Sequence, residues 1–189
     1  MSNGPRTVEM AAYERVVEAD RSAKDAFFRT SPHSPINPSA RTTFGGLAYF
    51  AVDADYHIIG LRLDRYLGNG PVAFMMPTSD GRIRDAHRVG SLVFEFHGDQ
   101  RTLTAYRFPG AAGDALFVPF LDATSGSETY GAGRYLDLEA GPDGAYVLDF
   151  NLAYHPYCAY SPDFSCPLTP AENRLDVRIE AGERLAAGH

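Results

Sequence analysis

The feature that most restricts the fold is a succession of short β-forming segments at residues 47–52, 56–63, 72–76, 82–89, 91–96, 102–108 and 116–120. Between them lie Gly-Asn-Gly, Thr-Ser-Asp-Gly, His-Gly-Asp-Gln and Gly-Ala-Ala-Gly-Asp, loops of hairpin length that supply the left-handed and Asx conformations of tight turns. No helices alternate with these segments, so an antiparallel meander is expected rather than a parallel sheet with crossover helices. Leu92, Phe94 and Phe96 form a wholly apolar face, while Val93, Glu95 and His97 are mixed, the pattern of a sheet packed on one side. About nine strands must hide their edges, which predicts a mainly β fold closed into an antiparallel β-barrel or folded into a β-sandwich.

Ahead of the strands, residues 7–30 favour an N-terminal α-helix, with Tyr13, Val16, Ala23 and Phe27 on a three-four spacing that Asp20 interrupts. Ser31-Pro-His-Ser-Pro-Ile-Asn-Pro38 stops it, because proline removes a donor and pushes its predecessor out of the helical region. The 189 residues fit one domain, 1–189, comprising the helix (7–30), a β meander (44–151) and an ordered C-terminal loop with a last strand (152–189).

A net charge of −7 and a pI near 5.3 repel phosphate backbones, which argues against nucleic acid and anionic membranes as partners. No apolar run reaches the roughly 18 residues of a membrane span. The start, Met-Ser-Asn-Gly-Pro-Arg, lacks the layout of a secretion signal, so a cytoplasmic location is expected. Cys158 and Cys166, separated by seven residues, do not make a disulfide framework there, although they could still pair. Of the 17 basic residues only Lys24 is lysine, a bias that genome composition explains as well as physics does.

Chemistry-bearing residues crowd into residues 116–173. A nucleophile elbow, phosphate loop, dinucleotide fingerprint and zinc-protease helix are all missing from the sequence. Gly126, Gly131 and Gly133 read as turn residues rather than a phosphate cradle, since a strand follows them and no basic residue stands in phosphate-loop position.

Several motifs together resemble a bacterial and archaeal family, domain of unknown function family 1684. They are Lys24-Asp-Ala-Phe-Phe-Arg, Ser34-Pro, Gly46-Leu-Ala-Tyr-Phe50, Phe117-Val-Pro-Phe-Leu-Asp-Ala-Thr-Ser-Gly126 and Glu128-Thr-Tyr-Gly-Ala-Gly-Arg-Tyr-Leu-Asp137. Leu148-Asp-Phe-Asn151, Ala153-Tyr-His-Pro156, Cys158-Ala-Tyr160, Cys166-Pro-Leu and Glu172-Asn-Arg-Leu continue the match. Where the family carries asparagine in Tyr-Asn-Pro, this chain has His155. The resemblance implies the importance of the C-terminal stretch and brings no established activity.

Among the candidate residues, Arg134 and Asp149 would face one another if the two strands flanking the Gly141-Pro-Asp-Gly144 turn form a hairpin. Leu136 and Val147 would then share their face, giving a polar end on an apolar floor. Such an arrangement clamps a carboxylate or phosphate, or else pins the sheet as a structural ion pair. Cys158 near His155 suggests a thiolate-imidazole nucleophile, against a small buried thiol. His155, Cys158 and Cys166 match no zinc spacing, so no metal is expected. Tyr130, Tyr135, Tyr154, Tyr157 and Tyr160 either line a pocket or pack between sheet and loop. Asp122, Thr124 and Asn173 are read as loop fasteners.

The expected function is therefore binding or conversion of a small molecule in a polar and aromatic pocket formed by Arg134, Asp149, Asn151, Tyr154, Tyr130 and Cys158. The alternative is a non-catalytic structural or protein-interaction domain. Sequence names no cofactor, no reaction and no oligomeric state.

Overall fold

The computed structural model describes residues 4–111 and 113–186. The first three residues of the supposed non-secretory start, and Ala112 of the Gly-Ala-Ala-Gly-Asp loop, lie outside the described residues. The chain is mainly β, with several antiparallel sheets and one N-terminal helix.

Helix α1 (Gly4–Thr30) ends at the proline-rich connector. Ser34 Oγ closes the junction by donating to the Phe28 carbonyl at 2.5 Å. The face that α1 buries differs from the expected stripe by one position. Val17, Arg21 and Phe28 are buried, with Tyr13 and Lys24 half-buried, while Val16, Ala23 and Phe27 are exposed. Two of the inward positions are cationic, so hydrophobic periodicity points to the neighbouring face.

The strands are β1 (Ala48–Tyr49), β2 (His57–Leu61), β3 (Leu63–Asp64), β4 (Ala73–Pro77), β5 (Ile83–Phe96), β6 (Asp99–Arg107), β7 (Leu116–Phe120), β8 (Arg134–Leu138), β9 (Tyr146–Asp149) and β10 (Glu183–Arg184). A six-stranded sheet runs in the order β3, β5, β6, β7, β8, with β4 also paired to β5. Among the described residues no strand pair joins β3 to β8, so this sheet does not close on itself.

The meander expected across residues 44–151 holds only within this sheet. β1 pairs instead with β10, and β2 with β9. Residues 82–89 and 91–96 are one strand, β5, whose register shifts between Arg88 and Gly90. Gly90 is not a break: a Cβ there would stand 2.3 Å from the Asp64 carbonyl oxygen, so glycine lets β3 cross closely. The β5–β6 hairpin turns at His97 and Gly98, both at positive φ, as a two-residue turn matched to strand twist requires.

One face of the six-stranded sheet builds the main core. Leu92, Phe94 and Phe96 pack with Leu103, Val118, Phe120, Leu136, Leu148 and Phe150. Each such fully buried side chain contributes roughly 1.5–3 kcal/mol. Alternation sends Tyr106 and Phe117 to the opposite face, into a smaller cluster with Met76, Ala86, Phe74 and Phe108. The C-terminal segment crosses there, pinned by bridges of Tyr154 to Tyr135, Pro167 to Thr78 and Arg174 to Leu121. Asn173 holds it as well, accepting from Thr104 N–H at 2.8 Å and donating to the carbonyls of Thr104 and Pro119.

Candidate functional site

Arg134 begins β8 opposite Phe120 of β7, and its side chain is completely enclosed. Nη2 donates to Asp122 Oδ1 at 3.3 Å and to the Ile179 carbonyl at 2.7 Å, while Nη1 donates to the carbonyls of Ala181 and Glu183. Burial pulls its pKa below the usual guanidinium value, and the Asp122 carboxylate opposes that. Asp122 also accepts from Thr124 Oγ1 and from Ile179 N–H, so the pair ties the 122–129 loop to the last segment of the chain.

The expected Arg134–Asp149 pair does not form. β8 pairs with β7, and β9 pairs with β2, where Asp149 lies opposite His57. Val147 is 43% exposed whereas Leu136 is buried, so the proposed apolar floor does not exist either. Asp149 is buried, as expected, but for another reason. Tyr13 Oη donates to its carboxylate at 2.9 Å, and Asn151 adds a backbone N–H at 3.0 Å and a side-chain N–H at 3.1 Å. Asn151 also donates to the Asp53 carbonyl and to Tyr13 Oη. Tyr13 in turn stacks on His57 at 4.5 Å. This network fastens α1 to β9.

A third buried carboxylate, Glu183 on β10, went unnoticed in the sequence. Oε1 lies 2.5 Å from Lys24 Nζ, and Oε2 accepts from His155 N–H at 2.7 Å and Tyr160 Oη at 2.6 Å. The signal that could have found it is Lys24, the single lysine of the chain. His155 is buried, and burial, followed by the nearby Arg134 and Lys24 charges, lowers its pKa to about 3. Its Nε2 accepts from the Tyr130 backbone N–H at 3.2 Å, leaving the proton on Nδ1, which faces Glu183 Oε2 at 3.7 Å. The ring is thus committed at Nε2 to the Tyr130 backbone, and its Nδ1 faces the Glu183 carboxylate rather than a cysteine sulfur.

Tyr130 Oη donates to Cys158 Sγ at 3.8 Å, and burial pushes the phenol up to about 12. Both cysteines are free, and the Cys158 N–H points to Cys166 Sγ at 3.3 Å. Burial raises the Cys166 thiol to about 11, so it is neutral near pH 7. Among the described residues no group of three or more His, Cys, Asp or Glu side chains is placed to hold a metal ion. No described helix is long and apolar enough to cross a membrane.

Two clefts adjoin at Lys24 and Tyr154. One, of about 360 Å³, lies between α1 and residues 151–154 and is bordered by Arg21, Tyr49, Asn151 and Glu183. The other is a more open groove of about 470 Å³ on the outer face of the six-stranded sheet. Its wall is a continuous row of rings. Tyr154 contacts Tyr135 at a centroid distance of 5.8 Å, Tyr135 contacts Phe117 at 4.7 Å, and Phe117 contacts Phe108 at 5.3 Å. Lys24 Nζ caps one end, 4.6 Å above Tyr154, and the Arg84 guanidinium caps the other, 3.8 Å above Phe108. Tyr157, Phe164 and Cys166 of the C-terminal segment form the facing side. Of the sequence-predicted residues, Tyr154 borders both clefts and Asn151 one; Arg134, Asp149, Tyr130 and Cys158 border neither.

A family model described as "Protein of unknown function (DUF1684)" matches residues 42–184. The chain belongs to this family. It is also similar to an uncharacterised protein of Haloarcula marismortui whose structure was solved by solution NMR. The two are 39% identical, with a TM-score of 0.69 over 96% of this chain and 98% of the other. No curated protein matches. DUF1684 membership thus extends over β1 to β10, including Glu183 and every ring of the groove, while Lys24 on α1 lies ahead of the matched residues.

Proposed function

We propose that this DUF1684 protein binds a small molecule with a flat apolar body in the groove between the outer face of the six-stranded sheet and residues 154–167. The observation that carries this reading is the unbroken row of Tyr154, Tyr135, Phe117 and Phe108 along an open groove of about 470 Å³. That volume lies within the range of ordinary ligand sites, and aromatic walls with a few polar tips are their usual lining. In this reading Tyr154 contacts the ligand and Asn151 borders the adjoining cleft. Arg134, Asp149, Tyr130 and Cys158 hold the walls in place. Binding is favoured over catalysis, because the His155 ring is committed to Tyr130 and faces Glu183, and the Cys166 thiol is neutral. We also read the β2–β9 ribbon as the second layer of a sandwich, since Phe150, just beyond β9, packs against Phe94 at 5.9 Å.

Titration with 1-naphthalenemethanol, followed by NMR shift mapping, tests the groove. Shift changes should centre on Phe108, Phe117, Tyr135 and Phe164, and Phe164→Ala should weaken binding by about tenfold through lost apolar contact. Changes confined to other surfaces would dismiss the groove and favour a structural or interaction domain.

A further inference from the structure

Resting on the groove reading, we infer that the ligand is an anion whose carboxylate, or similarly planar oxyanion, is received by Arg84. The chain holds 24 acidic and 17 basic residues, yet the groove is bordered by two cations, Lys24 and Arg84, and by no aspartate or glutamate. Asp137, outside that lining, is occupied in accepting from Tyr154 Oη, so a groove lined by two cations and no carboxylate is electrostatically complementary to a negatively charged amphipath.

The two cations are not equivalent. Lys24 is already neutralised by the buried Glu183 carboxylate at 2.5 Å. Arg84 has no carboxylate within ion-pair distance among the described residues. Its neighbour Asp85 points to the other face of β5 by strand alternation. The Arg84 guanidinium carbon lies 3.8 Å from the Phe108 ring centroid, a cation–π contact that holds the cation at the end of the groove and leaves N–H groups for a ligand. A guanidinium fork held by such a contact presents two parallel donors to a carboxylate and gives up less side-chain freedom on binding than a free lysine would. The apolar body then lies along Phe108, Phe117 and Tyr135, with its far end toward Tyr154 and Lys24.

The test compares 1-naphthoate with its neutral analogue 1-naphthalenemethanol on the full chain and on Arg84→Gln. The unmodified protein should bind the carboxylate at least about tenfold more tightly than the alcohol. Arg84→Gln should abolish that preference while leaving the affinity for the alcohol within about twofold. Equal affinities in the unmodified protein, or a preference that survives Arg84→Gln, would overturn the assignment of an anion to Arg84. Loss of both probes in a folded Arg84→Gln protein would overturn it too, because Arg84 would then be a wall of the groove rather than a receptor for charge. Failure of both probes to bind the unmodified protein is a separate result, and it removes the groove reading itself.

Discussion

Lys24 Nζ lies 2.5 Å from Glu183 Oε1, joining the C-terminal third of α1 to β10, the last strand among the described residues. Glu183 is 1% exposed and also receives His155 N–H and Tyr160 Oη, so one carboxylate ties α1 and the 155–160 stretch to β10. Its desolvation is offset only while all three donors stay in place.

Glu183→Ala should therefore destabilise the protein by about 3 kcal/mol, by stranding the ammonium and two buried donors. Urea denaturation at neutral pH measures this. A loss under about 1 kcal/mol would mean that water replaces the carboxylate without penalty.

The enclosed Arg134 should be coupled to Asp122 and not to Asp149. In double-mutant cycles built on Arg134→Gln, Asp122→Ala should show a coupling energy of roughly 2–3 kcal/mol. Asp149→Ala should be additive with Arg134→Gln to within about 0.5 kcal/mol, because the two side chains share no partner. Comparable coupling in both cycles would contradict the separate networks of Asp122 and Asp149.

His155 sets a pH dependence with a definite sign. Its pKa falls from 6.5 unfolded to about 3 folded, so between those values the unfolded chain binds more protons than the native one. The stability it confers is complete above pH 6.5 and is lost as pH falls toward 3, with a limiting slope of roughly 1.4 kcal/mol per pH unit. Urea midpoints at several pH values between 4 and 7 should follow this slope, and His155→Gln should flatten it. An unchanged slope in the variant would assign the acid sensitivity to other groups.

Local pattern determined much of this protein. Strict alternation at Leu92, Phe94 and Phe96 placed one face of β5 in the core, and the proline run ended α1. Both depend on residues a few positions apart, where covalent geometry dictates which side chains share a face. The motif-rich C-terminal stretch likewise lies within the family match and supplies one side of the groove.

Strand partners and the groove were decided by tertiary structure. Residues 134–138 and 146–149 are close in sequence and separated by a turn, so a hairpin is the natural local expectation, yet β9 pairs with β2 from the first third of the chain. A strand's own alternation does not specify which distant edge it meets, because any apolar face satisfies any other of similar shape. Placing Val147 outward follows from that choice of partner. The helix face was hidden for a related reason: Arg21 and Lys24 look solvent-exposed until Asn151 and Glu183 arrive to partner them. The ring row draws its middle from β7 and β8, its end rings from the segments after β6 and β9 and its capping cations from α1 and β5, so only the folded chain brings Lys24, Tyr154, Phe117 and Arg84 together. Burying charge costs several kcal/mol unless a partner is present, and those partners come from segments more than a hundred residues away.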